Sequence, residues 1–203
     1  MPASGAIALA IIDMQHDFVA PGGAACVAGA AATVPVLRRL LERARARGWR
    51  VIHVTRSHRA DGADAERFRR EAFLQGRGIC VAGTPGAGIV PELAPLPGET
   101  VLRKTRFSAF LFTEFDALLR RMGVDTLVMG GTQYPNCVRA TAVDAMARDY
   151  RVVVVTDACS AQTPEVAAAN IFDLSHMGVD CVALDRLDGL LGPKRPPFAP
   201  SSA

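Results

Sequence analysis

The segment RVVVVTD at 151–157 constrains the fold more than any other stretch of the chain. Four consecutive valines leave no polar face, so an extended segment there must be covered by protein on both sides. A strand of that kind belongs in the middle of a parallel sheet flanked by helices. Its partners are visible elsewhere: apolar runs recur at 6–12 (AIALAII), 49–55 (WRVIHVT), 100–104 (TVLRK), 125–130 (DTLVMG) and 179–184 (VDCVAL). Between them apolar residues return at helical spacing over 33–47, 113–122, 136–150 and 164–177. Thr33 and Gly48 are placed to cap the first helix, Gly123 ends the second, and Pro164 and Gly178 bound the last. This alternation predicts an α/β fold, a doubly wound, mostly parallel six-stranded sheet with helices on both faces. No internal repeat or second domain is visible, so 1–192 reads as one domain and the Pro-rich 193–203 as a tail.

The formal charge over 203 residues is only +3, and the basic residues are dispersed. Their local density in RRLLERARARGWR and RFRRE reads as solvated helix faces, which speaks against a nucleic-acid partner. The opening MPASGAIALAIIDM lacks a charged n-region, and no apolar run approaches the ~20 residues of a membrane span, so neither export nor a membrane partner is expected. Cysteines stand at 26, 80, 137, 159 and 181, an odd number with no CxxC pair. That usage argues against a disulfide framework or zinc ribbon and for a reducing cytoplasm.

In open parallel sheets, sites form beyond the carboxyl ends of the strands. Asp13 follows the first strand, Lys104 ends the third, Cys137 comes shortly after the fourth, and Asp157 ends the fifth. A helix N-terminus and a nearby Lys104 ammonium would both favour a Cys137 thiolate. The Asp13 carboxylate can take the thiol proton and later hand it to a leaving amine. Residue types alone leave Cys137 open to either packing or catalysis. Cys26, Cys80, Cys159 and Cys181 read as small apolar packing groups.

The segments IIDMQHDF, KTRFSAF, GGTQYPNCVRATAVDAMARDY and VVVVTDACSAQTPE, in that order, resemble the isochorismatase-like cysteine hydrolases. That family includes nicotinamidases, N-carbamoylsarcosine amidohydrolase, and ureidoacrylate and biuret hydrolases. The resemblance implies an Asp–Lys–Cys triad, with Cys137 as nucleophile, Asp13 as general base and acid, and Lys104 supporting the thiolate and the charged intermediate. It also implies an oxyanion hole built from the backbone N–H groups of Gln133 and Cys137, and a cis peptide between Thr132 and Gln133. Gly130 and Gly131 then give room for an unusual backbone path, and Pro135 is expected trans. The implied reaction is hydrolysis of a C–N bond in a small amide or ureide through a thioester, without a cofactor, in a homodimer or homotetramer. Hydrolysis of a vinyl ether, as on isochorismate, is the alternative chemistry; the presence of Cys137 favours C–N cleavage. A non-catalytic binding protein on the same fold is a third reading, and reactivity of the Cys137 thiol discriminates it.

Nicotinamidases carry a metal-binding cluster of Asp and His after the second strand. Here HVTRSHRADGADAE lacks an Asp-x-His with a further downstream His, so no metal is expected, and His53 reads as a strand residue with an internal partner. Phe18, Phe107, Phe110 and Tyr134 flank the motifs and can wall a small apolar pocket. Arg56 and Arg59 follow the second strand, where a guanidinium can hold a substrate carboxylate or ureido oxygen bidentately and His58 can add a hydrogen bond. Gln15 and Gln162 are weaker polar candidates. Core packing for the rings and a solvated loop for the arginines are the competing readings.

Overall fold

The valine run is buried inside the sheet, but it forms the strand next to one edge and not the central strand its composition suggests. Over the described residues, 5–191, the computed structural model runs β1 (Ala6–Ile12), α1 (His16–Val19), α2 (Ala30–Ala46), β2 (Arg50–Arg56), α3 (Arg70–Leu74), β3 (Thr100–Lys104), α4 (Phe115–Arg121), β4 (Val124–Thr132), α5 (Arg139–Met146), β5 (Arg151–Ser160), α6 (Pro164–His176), β6 (Asp180–Val182) and α7 (Leu187–Leu191). The tail expected at 193–203 lies outside the described residues. The six strands make one sheet in the order β3-β2-β1-β4-β5-β6. Every pairing in it is parallel.

Strand alternation divides the core in two. Ala8, Ala10 and Ile12 of β1 and Val152 and Val154 of β5 face one side, where Leu118, Leu119, Ala142, Ala145 and Leu174 of α4, α5 and α6 cover them. Leu9 and Ile11 of β1 and Val153 and Val155 of β5 face the other, under Leu37, Leu40 and Leu41 of α2 and Leu187 of α7. Each fully buried valine contributes about 1.5–3 kcal/mol, so a polar side chain anywhere in that run would be costly. Among the described residues no helix is long and apolar enough to cross a membrane.

Several boundaries differ from the apolar pattern. β5 extends to Ser160 because its polar end re-pairs with β4 beyond an irregularity, Gly131 opposite Cys159 and Thr132 opposite Ser160. β2 includes Arg56, which therefore ends the strand instead of following it. α2 begins at Ala30 behind Gly29, so Thr33 lies inside the helix and its hydroxyl donates to the Ala30 carbonyl at 2.8 Å. The helix expected over 136–150 is preceded by a wider π-helical turn, Tyr134–Val138, and its α-helical part ends at Met146.

The strand order reverses direction between β1 and β4. That opens a crevice beyond their carboxyl ends, the ordinary place for a site in a doubly wound sheet.

Candidate functional site

Three polar groups converge at that crevice. Asp13 leaves β1 in a left-handed conformation (φ 51°) with its amide bonded to the Val54 carbonyl at 2.8 Å, and its side chain is fully buried. Lys104 ends β3, two strands away, and its long stem spans the gap. Its Nζ lies 2.6 Å from Asp13 Oδ2, 3.3 Å from Cys137 Sγ and 3.1 Å from the Arg106 carbonyl. Cys137 sits in the π-helical turn after β4. Asp13, Lys104 and Cys137 are thus brought together from β1, β3 and the end of β4.

The glycine pair makes this approach possible. Gly131 has φ 129°, and a Cβ there would collide with the Ile12 carbonyl and amide, the residue before Asp13. Only a glycine lets β4 pass so close to the end of β1. The peptide between Thr132 and Gln133 is cis, as the resemblance implies, and it is the only cis bond among the described residues.

The electrostatics correct one expectation. Burial pushes the Cys137 thiol up, and the Asp13 carboxylate pushes it the same way; Lys104 and Arg56 pull against them and do not prevail. The expected lowering fails because the sulfur is withdrawn from water along with its counter-charges. The resting group is a thiol beside a carboxylate. Asp13 Oδ2 is taken by Lys104, while Oδ1 is buried without a hydrogen-bond partner among the described residues. An acceptor is therefore in place for the thiol proton.

Arg56 also belongs here. Its Nη1 donates to Glu66 Oε1 at 2.7 Å and lies 3.4 Å from the Thr105 carbonyl and from His58 Nε2; its Nη2 lies 3.6 Å from Cys137 Sγ. Burial works against the charge, but Cys137, Asp13 and Glu66 outweigh it and raise the guanidinium above the ordinary arginine range. Phe107 lies over this guanidinium at 5.4 Å. His58 is buried; burial and the neighbouring Arg56 push its pKa down, so it sits neutral between Arg56 and Asp64.

The other ring candidates are corrected. Phe110 is core, packed on Phe115 (4.8 Å) and Tyr150 (6.0 Å). Tyr134 is fully buried and its hydroxyl donates to the Thr156 carbonyl of β5 at 3.1 Å. Phe18 belongs to the core under α2, with Met14, Val19 and Val27, and not to the cluster that holds Cys137. Arg59 is an exposed loop residue paired with Asp61. Gln15 is fully buried and clamps the end of β2 through the Arg56 carbonyl (2.7 Å) and amide (2.7 Å). Gln162 bridges the loop before α2, on the Ala28 amide and the Cys26 carbonyl.

Two residues escaped sequence reasoning. Arg69 comes from RFRRE (67–71), which reads as a solvated helix face, and Glu66 from the polar segment just before it. In fact both are turned toward the site, with Arg69 at 4.8 Å from the Phe68 ring and 6.0 Å from the Phe107 ring. The alternation of basic and aromatic residues in RFRRE was the available signal.

The metal cluster of nicotinamidases has no counterpart that fits. Among the described residues no group of three or more His, Cys, Asp or Glu is placed to hold an ion. His58 faces the Arg56 cation, and His53 is engaged by Glu99 at 3.1 Å, the internal partner the strand position called for.

The isochorismatase domain model matches residues 7–186. An isochorismatase family protein of Desulfovibrio vulgaris is 66% identical in a crystal structure that superposes with a TM-score of 0.91, covering 92% of this chain and 98% of that one. A probable inactive nicotinamidase of Arabidopsis thaliana is 44% identical over 175 residues, 85% of this chain and 89% of its own. The maleamate amidohydrolase of Pseudomonas putida is 34% identical over 190 residues, 91% of this chain and 88% of its own.

Proposed function

The chain belongs to the isochorismatase family, and from that premise we propose that it is a cysteine amidohydrolase cleaving a C–N bond of a small amide or ureide. The observation that carries the reading is the meeting of Asp13, Lys104 and Cys137, with an unpartnered carboxylate oxygen beside a neutral thiol.

As Cys137 Sγ attacks the carbonyl carbon, its proton passes to Asp13. The carbonyl π electrons move to oxygen, and the N–H groups of Gln133 and Cys137 donate to the oxyanion; such donors are worth about 3 kcal/mol each in barrier. The C–N bond then breaks, and Asp13 returns the proton to the leaving nitrogen. A thioester remains. Water adds to it while Asp13 takes a water proton, the C–S bond breaks, and the proton returns to sulfur. Lys104 holds Asp13 in position and offsets negative charge on sulfur throughout.

A neutral resting thiol suits this sequence of steps, because deprotonation is coupled to attack and needs no standing thiolate. The deciding experiment is ammonia release from a panel of small amides and ureides, with mass spectrometry of the acyl-enzyme. A thioester on Cys137 during turnover supports the reading; full turnover by Cys137→Ala would sink it.

A further inference from the structure

The pair Arg56 and Arg69 carries a property that cysteine chemistry does not require. Arg56 is 1% exposed. Its Nη1 side is committed to Glu66, but Nε is buried with no hydrogen-bond partner among the described residues, and Nη2 meets only the sulfur of Cys137. Nε and Nη2 form one edge of the planar guanidinium, the fork that fits a carboxylate. A buried N–H without an acceptor is costly, and a bound oxygen would supply one.

Arg69 repeats the pattern. Its Nε is also buried and without a hydrogen bond, and it lies 3.4 Å from Glu66 Oε2, which has no hydrogen-bond partner either. Burial and the like charge of Arg56 both push its guanidinium down. Around the neutral thiol, two carboxylates (Asp13, Glu66) face four cations (Lys104, Arg56, Arg69 and Arg106, which shares the Thr105 carbonyl with Arg56), so positive charge is in excess. Asp64, behind neutral His58, is 29% exposed and solvated. A cleft of about 510 Å³ lies beside this cluster and meets it at Glu66 and Arg106; Phe107, Pro135, Asn136 and Arg139 also border it.

We propose that Arg56 and Arg69 read an anionic group on the substrate, so that the enzyme acts on short amide or ureido acids in preference to neutral carboxamides. The carboxylate replaces the missing acceptor on the Arg56 edge. Since Nη2 is 3.6 Å from Sγ, the carboxylate and the scissile carbonyl lie within a few bonds of each other. The proposal rests on the amidohydrolase reading for what is cleaved, and on geometry alone for what is bound.

The test has two arms. Wild-type enzyme is assayed on monoamides of short dicarboxylic acids (malonamate, maleamate, succinamate) and on the matching diamides. Binding of malonate, maleate and succinate to the Cys137→Ser protein is measured by calorimetry, with and without Arg69→Gln. The acids are expected to exceed the diamides in kcat/KM by at least about tenfold, and Arg69→Gln to raise KM by a similar factor with little change in kcat. Arg69→Lys should restore part of the preference. Equal turnover of acids and diamides, or dicarboxylate binding indifferent to Arg69, overturns the proposal. Should Arg69→Gln fail to fold, the wild-type comparison still decides. Arg69-dependent dicarboxylate binding without turnover of any amide would leave the anion site standing and sink the hydrolase.

Discussion

On the hydrolase reading proposed above, burial and charge divide the work of activating Cys137. Its thiol is held protonated by desolvation and by Asp13, while Lys104 at 3.3 Å and Arg56 at 3.6 Å wait to stabilise the anion once the proton leaves. Removing any member should therefore be severe. Cys137→Ala is expected to lower kcat by at least about 10⁴-fold, and Asp13→Asn to approach the same loss, read by ammonia release. Lys104→Met leaves a buried carboxylate without its 2.6 Å partner, so it should cost about 3–5 kcal/mol of stability in urea unfolding as well as activity. The three residues were legible because each stands where an apolar run stops, and strand ends collect chemistry. The rings were not, since closeness to a motif does not give side-chain direction. Phe110 turns to Phe115 and Tyr150, and Tyr134 turns down to β5, because buried aromatic area outweighs any pull toward a wet pocket.

At the scale of elements, two joints hold the site in register. The first is the pass of β4 over the end of β1. Gly131→Ala puts a methyl group against the Ile12 backbone at a φ that side chains resist, and should cost about 3 kcal/mol or more by thermal unfolding. The second lies at the opposite end of the sheet, where Glu99, just before β3, accepts from Arg45 of α2 (2.7 and 2.9 Å), the Leu96 amide (2.8 Å) and His53 of β2 (3.1 Å). Burial raises its carboxyl, but these partners outweigh burial and hold it down at about 2. A depressed carboxylate contributes stability above its unfolded pKa, and that contribution is lost as pH falls toward the folded value. Glu99→Gln should therefore be less stable than wild type by about 2 kcal/mol at pH 7, and the two should converge between about pH 5 and 2. Strand and helix positions were readable from periodicity; their ends were not. The last residues of β5 are set by pairing with β4, and Glu66 and Arg69 are held against the site by Arg56 and Phe107, contacts that no local pattern announces.

For the molecule as a whole, a parallel sheet covered by helices on both faces could be anticipated from the alternation of elements, because parallel crossovers leave few alternatives; the strand order could not. The charge balance of the site could not, since it is assembled from β1, β2, β3, the 66–74 segment and the turn after β4. With His58 set against Arg56 and His53 engaged by Glu99, turnover is expected to be unaffected by chelators; loss on chelation restored by zinc or iron would contradict the assignment of those histidines. The contact between Lys104 and Asp13 joins residues 91 apart, and that between Lys104 and Cys137 joins residues 33 apart. The three residues stand at or beyond the carboxyl ends of edge strand β3 and inner strands β1 and β4 of a sheet ordered β3-β2-β1-β4-β5-β6. No fragment of the chain shorter than that span carries the machinery, and a growing polypeptide on the ribosome stays chemically silent until β4 and the turn that follows it have emerged and docked. On the hydrolase reading, the onset of activity thus reports docking of β4 and the turn that follows it, and is a direct clock for that step of assembly.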